Sequence, residues 1–120
     1  MQPSRPLLLA AGLLGASGVA LSAAAAHQGI ANVATAASFL LMHAPAFLAL
    51  SMLGGNRIRR LGSWTLLLGL VIFSGDLLAR AYLGTRLFPM AAPSGGFLMI
   101  GGWLAVAASA LARDGARPSD

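Results

Sequence analysis

A chain of 120 residues that is 58% hydrophobic and only 9% charged lacks the polar side chains to cover a soluble domain of its size, so its bulk belongs in lipid. With no cysteine, disulfides, thiolate zinc and iron–sulfur ligation are excluded. The net charge of +5 and pI near 11.8 come from arginines that fall between apolar runs. No basic patch interleaved with aromatics occurs, so no nucleic-acid partner is expected.

Residues 7–26 carry no charge and suffice to cross a hydrocarbon core of ~30 Å at ~1.5 Å per residue. The run follows Arg5 and Pro6 and ends in alanines before His27, a pattern that also describes a secretory signal. It is longer than the ~7–15 residues of a signal's apolar core, so a retained helix is the reading taken. Gly15, Gly18, Ser22 and Ala26 fall on adjoining turns of one side, where small residues let another helix approach closely.

A polar turn without Lys or Arg, residues 27–32, leads to a second span at 33–53 containing Thr35, Ser38, His43 and Pro45. Pro45 cannot donate to the Leu41 carbonyl and is expected to kink the helix beside His43. His43 lies near mid-depth, and three readings are open to it. It is a neutral ring bonded to a neighbouring helix or to the freed carbonyl, a proton- or ligand-handling group, or a metal ligand.

Arg57, Arg59 and Arg60 make the turn at 54–60 the strongest positive cluster. The third span, 61–83, lies between Trp64 and Tyr82, both interfacial anchor types. Gly62, Gly69 and Asp76 recur every seventh residue and so share a face that must look into the protein. Gly75 adds to this small-residue set. Asp76 is the only acidic residue before position 114, ~10 Å of helical rise from the span's outer end. Arg80, one turn on, is its nearest partner.

A loop at 84–93, with two prolines and Arg86, precedes the fourth span at 94–111. There Gly95, Gly102 and Ser109 again recur at sevens, and the mid-span Trp103 needs an acceptor for its indole N–H. Residues 112–120 form a polar tail expected to fray. Arg5, Arg57, Arg59, Arg60, Arg113 and Arg117 fall on one side of these spans, and Arg80 and Arg86 on the other. The positive-inside rule then places both termini in the cytoplasm. The expected fold class is therefore all-α: a single-domain integral membrane four-helix bundle with both termini cytoplasmic, in a bacterial inner membrane.

Several short stretches together resemble one family. Gly15-Ala16 through Ala26-His27, His43-Ala44, Phe73-Ser74-Gly75, Pro93-Ser94-Gly95-Gly96 and Gly102-Trp103 occur in the order and spacing of the domain of unknown function 423 family. These are small membrane proteins related to vertebrate transmembrane protein 256. The resemblance implies four helices and a retained first span, and it brings no activity with it. Many family members resemble one another in carrying Ser and Tyr after Phe-Ser-Gly, where this chain has Asp76 and Leu78.

Catalytic and cofactor chemistry finds little footing. His27 and His43 are separated by ~16 Å of helical rise plus the intervening turn, too far in depth to bracket one haem iron. No HExxH spacing and no nucleophile motif occur. No enzyme, metal or cofactor is therefore expected. On antiparallel neighbours, His43 and Asp76 would differ in depth by ~6 Å. If paired, they form either a structural polar clamp, the reading preferred, or a titrating couple, in a candidate intramembrane cluster of His43, Asp76, Arg80 and His27. Gly15, Gly18, Gly62, Gly69, Gly75, Gly95 and Gly102 are the expected helix-packing positions. The expected function is a non-catalytic accessory, assembly or structural component. The alternative is a small transporter or proton- or ion-conducting protein using His43, Asp76 and Arg80. Expected partners are the lipid bilayer and either another membrane protein or a second copy of the chain.

Overall fold

Without water to bond to, backbone N–H and C=O groups must be satisfied within the chain, and unbroken helices do this segment by segment. The computed structural model, which describes residues 3–53 and 55–112, has four of them. They are α1 (Arg5–Gln28), α2 (Ala31–Leu53), α3 (Arg57–Tyr82) and α4 (Ala91–Ser109). No strand occurs among the described residues. At 24, 23, 26 and 19 residues and with strongly apolar composition, all four are long enough to cross a membrane. Apart from Ala112, the tail expected to fray lies outside the described residues, with Arg113 and Arg117.

Helix ends are set by local chemistry, and they depart from the hydropathy boundaries. The Ser4 side chain caps α1 by accepting from Leu7 N, and Pro6 sits in the first turn, where a missing N–H costs nothing. Gly29 closes α1 with a left-handed φ of 67°, its N–H donating to Ala25 O, so the turn is tighter than the polar stretch suggests. Asn56 caps α3 by accepting from Arg59 N at 3.1 Å, which draws Arg57, Arg59 and Arg60 into the first turns of the helix rather than leaving them in a loop. Likewise α4 starts at Ala91, so Pro93 belongs to its first turn and not to the preceding loop. Helix α2 runs unbroken through Pro45.

Backbones approach closely along three seams: α1 on α2, α2 on α3, and α3 on α4. The α3–α4 seam is built from glycine. A methyl group placed on Gly69 would lie 2.7 Å from both Gly95 O and Met99 N. One on Gly102 would lie 2.7 Å from Leu66 N, and one on Gly62 would lie 2.8 Å from the Ala105 methyl and 3.0 Å from Gly102 O. The two seven-residue stripes therefore face each other in antiparallel register, with Gly62 beside Gly102 and Gly69 beside Gly95. Such close backbone contact is how helices gain packing energy in lipid, where burying apolar surface earns nothing by itself. Across the α1–α2 seam, a methyl on Gly18 would lie 2.7 Å from the Leu41 side chain and 3.1 Å from its backbone N, and one on Gly15 would lie 3.7 Å from the Ala44 methyl. Gly75 differs from the other expected packing glycines, because it makes room for the loop side chain of Leu87 rather than for a helix.

Leu7, Ala11 and Leu14 of α1, Leu40, Phe47 and Leu50 of α2, Leu66 and Leu70 of α3, and Met99 of α4 share one core. Outside it, large apolar side chains such as Leu9, Leu13, Phe97 and Leu104 are more than half exposed, the surface expected of spans facing lipid. The inner helices α2 and α3 are the more buried, and α1 and α4 the more peripheral.

Glycine at the α3–α4 seam should be intolerant of even one added carbon. Gly69→Ala or Gly102→Ala is expected to cost about 1–3 kcal/mol, because the nearest atoms are backbone and cannot step aside. Gly96→Ala or Gly101→Ala, where a methyl meets nothing within 4 Å, should leave stability unchanged or slightly raised. Thermal unfolding of the four variants in detergent checks this ranking.

Candidate functional site

Asp76 occupies the third position of the stripe begun by Gly62 and Gly69, and that register brings it to the start of α4. Its side chain is fully buried. Arg80, at i+4, donates to one carboxylate oxygen, Oδ2, from both Nε (3.1 Å) and Nη2 (2.8 Å). The other oxygen, Oδ1, accepts the Leu87 backbone N–H at 2.9 Å. Ala92, in the first turn of α4, also turns its N–H toward the carboxylate. A carboxylate is favourable there, because the opening turn of a helix presents unpaired N–H groups and partial positive charge. Asp76 thus ties α3 to the 83–90 connection and to the start of α4, and Met90 holds a left-handed φ of 66° immediately before that helix. Arg80 keeps 32% of its side chain exposed, so its head reaches outward while its charge is met.

His43 makes a separate site. Its Nδ1 lies 2.8 Å from Phe39 O, one turn back on α2, and its Nε2 lies 3.2 Å from Trp103 Nε1 on α4. An indole nitrogen can only donate, so Nε2 is the acceptor and the ring proton sits on Nδ1, directed at the Phe39 carbonyl. Both ring nitrogens are thereby used by a neutral imidazole. Around it the rings of Phe39 and His43 stack at 6.1 Å, Phe39 meets Phe73 at 4.7 Å, and Trp103 tilts over His43 at 5.8 Å. The polar link thus sits within an aromatic group drawn from α2, α3 and α4.

The expected clamp between His43 and Asp76 is not formed. Each is bonded elsewhere: His43 to Phe39 and Trp103, Asp76 to Arg80 and Leu87. The glycine register commits Asp76 to the start of α4, whereas His43 meets that helix further along, at Trp103. His27 is exposed in the last turn of α1 and joins neither group. The carbonyl that His43 uses is that of Phe39, not the Leu41 carbonyl left without its donor by Pro45. The Trp103 requirement for an acceptor and the His43 requirement for a partner answer each other across 60 residues. The Leu87 N–H carried no signal at all, since a loop amide has no side-chain chemistry to read.

Four further polar side chains bond to their own helix. Thr35, Ser51, Ser63 and Ser109 each donate to a carbonyl three or four residues back. Ser74 has a buried hydroxyl with no partner among the described residues.

A family model described as "Protein of unknown function (DUF423)" matches residues 8–96. The chain belongs to this family. A similar protein from Haemophilus influenzae, named a UPF0382 membrane protein, is 33% identical over 99 residues, covering 74% of this chain and 80% of that one. No solved structure matches. The DUF423 match takes in Phe73-Ser74-Gly75 and Gly95, which the fold brings together: a methyl on Gly95 would lie 2.7 Å from Phe73 N. Trp103 lies beyond the matched residues, so the His43–Trp103 link joins a position inside the match to one outside it.

Removing Arg80 leaves a buried carboxylate half satisfied, whereas no ion pair of Arg86 occurs among the described residues. Arg80→Ala should therefore destabilise by about 2 kcal/mol, below the value for a fully buried pair because Arg80 is partly exposed. Arg86→Ala should be near neutral, and equal melting temperatures for the two variants would count against the ion pair. For the second site, a double-mutant cycle on His43→Phe and Trp103→Phe should give a coupling of about 0.6–1.7 kcal/mol. Strict additivity would show that the hydrogen bond contributes nothing.

Proposed function

We propose that this DUF423 protein is a non-catalytic structural, accessory or assembly component of a bacterial cytoplasmic membrane, with both termini on the cytoplasmic side. The observation that carries the reading is that the ionisable groups inside the spans are spent on holding the fold. Asp76 binds Arg80 and a loop amide, and His43 binds a carbonyl and an indole. A proton path across ~30 Å of hydrocarbon requires successive exchangeable groups. The pair that would have begun one is split between two unconnected sites, so no observation favours the transport alternative.

Charge distribution supports the orientation. The Ser4–Ser51 and Asn56–Ser109 hydrogen bonds gather the start of α1, the α2–α3 turn and the end of α4 at one end of the molecule. Arg5, Arg57, Arg59 and Arg60 lie at that end. At the opposite end Arg80 is neutralised by Asp76, which leaves Arg86. The positive-inside rule then assigns the arginine-rich end to the cytoplasm. An accessory role is supported by Gly12, Gly96 and Gly101, where an added methyl meets nothing within 4 Å and a further helix has room to pack closely.

Extraction in mild detergent should yield the protein in a reproducible complex with another membrane protein, and reporter fusions at both ends should report the cytoplasm. Reconstituted vesicles holding a pH-sensitive dye should show no flux above empty vesicles. Flux abolished by Asp76→Asn would replace the structural reading with a conducting one.

A further inference from the structure

The chain between α3 and α4 turns back along the helix it has just left. Helix α3 continues six residues beyond Asp76 to Tyr82, ~9 Å of further rise. The Leu87 N–H nevertheless meets Asp76 Oδ1 at 2.9 Å, and the Ala92 N–H turns toward the same carboxylate. Gly84, with φ 72°, makes the reversal, and residues 87–90 then descend beside the last turns of α3. The Leu87 side chain follows the same path, since a methyl on Gly75 would lie 3.2 Å from its Cδ1.

Helix lengths agree with this descent. The Asn56 Nδ2 bond to Ser109 O shows that α3 begins level with the end of α4. With 26 residues against 19, α3 is longer by ~10 Å, and the whole excess lies at the Tyr82 end. That end also marks a membrane surface. Arg60 and Tyr82 stand 22 residues apart, ~33 Å of rise, close to the ~30 Å of a hydrocarbon core. Tyr82 Oη donates to Gln28 Oε1 at 2.6 Å, so the polar end of α1 closes at the same level. Residues 87–90 therefore lie below the level of Tyr82 and Gln28, within the outer ~9 Å of the span.

The segment is chemically suited to that depth. Leu87, Phe88 and Met90 are 51%, 44% and 60% exposed, and they continue the apolar surface of the spans. Irregular backbone in the membrane needs partners, and this stretch has them. Leu87 N donates to Asp76, Phe88 O accepts from Ala91 N at 3.2 Å, and Met90 O accepts from Ser94 N at 2.9 Å. Pro89 has no N–H to satisfy. Thr85 and Arg86, polar and exposed, stand at the crest of the reversal.

We propose that the connection is re-entrant, with Leu87, Phe88 and Met90 inserted at the boundary between lipid headgroups and acyl chains. An apolar surface sunk ~5–10 Å into that boundary is how interfacial segments hold a membrane. The partner is thus the nearer lipid leaflet, whichever compartment it faces and whatever protein the chain assembles with. Asp76 sets the depth of the anchor by accepting the Leu87 amide.

Because the chain has no cysteine, single ones can be introduced without background. Full-length Arg86→Cys, Phe88→Cys and Met90→Cys proteins are placed in phosphatidylcholine nanodiscs, which leave both faces open, and treated with a membrane-impermeant maleimide. In parallel, a fluorophore attached at each cysteine is quenched either by a nitroxide on the upper acyl chain or by aqueous iodide. Phe88→Cys and Met90→Cys should react roughly tenfold more slowly than Arg86→Cys, as for side chains held out of water by one decade in equilibrium constant. Their fluorophores should be quenched by the nitroxide, and the one at position 86 by iodide. The fold leaves positions 88 and 90 exposed, so it cannot supply this protection by itself. Equal labelling rates with iodide quenching at all three positions would show an aqueous loop and overturn the proposal. Slow labelling without nitroxide quenching would show a protein cover, a second copy or another chain, and would overturn it equally. Positions 88 and 90 report independently, so a variant that fails to fold leaves the other to decide.

Discussion

Along the α3–α4 seam, backbone meets backbone, and much of the structure depends on that contact. Gly62 and Gly69 lie against Gly102 and Gly95 at separations no side chain could share. In lipid this closeness matters more than apolar burial, because an exposed leucine is as well solvated by acyl chains as by protein. The glycines also set the antiparallel register. Continued one step in one direction, the stripe carries Asp76 to the start of α4. In the other direction it places Ser109 beside Asn56, whose side chain bonds to the Ser109 carbonyl.

That register explains how a buried carboxylate is tolerated. Asp76 is met by a guanidinium on its own helix and by an amide from the connection that leads into α4. A charge that would be costly alone becomes the fastening of an exposed eight-residue connection. His43 solves the same problem without charge, as a neutral ring between a carbonyl and an indole. The two polar sites tie different helices together. Asp76 fastens α3 to the α4 start, and His43 fastens α2 to α4 across the face of α3. A third link, from Tyr82 Oη to Gln28 Oε1 at 2.6 Å, holds the ends of α3 and α1 at the molecule's edge.

The two ends of the molecule are chemically unlike. One gathers four arginines and two helix starts; the other gathers the single described carboxylate, its arginine and an exposed connection. The DUF423 residues with recognisable order, Phe73-Ser74-Gly75 and Gly95, serve this architecture by packing. Phe73 meets Phe39, Gly75 admits Leu87, and Gly95 lets α4 touch the α3 backbone.

Composition and periodicity determined that the chain forms four membrane-length helices, because hydropathy and the 3.6-residue repeat are properties of a segment alone. The seven-residue spacing of Gly62, Gly69 and Asp76, and of Gly95 and Gly102, likewise marked the packing faces, and the i+4 spacing marked Arg80 as the partner of Asp76. Helix ends were less legible, since capping by Ser4, Asn56 and Gly29 overrides hydropathy at the last turn. Only the tertiary structure decided which polar groups meet. His43 found Trp103 and not Asp76, and Asp76 found the amide of Leu87. Such pairings depend on the register and depth at which separate helices dock, and the repeat within any one helix carries no information about the offset between two.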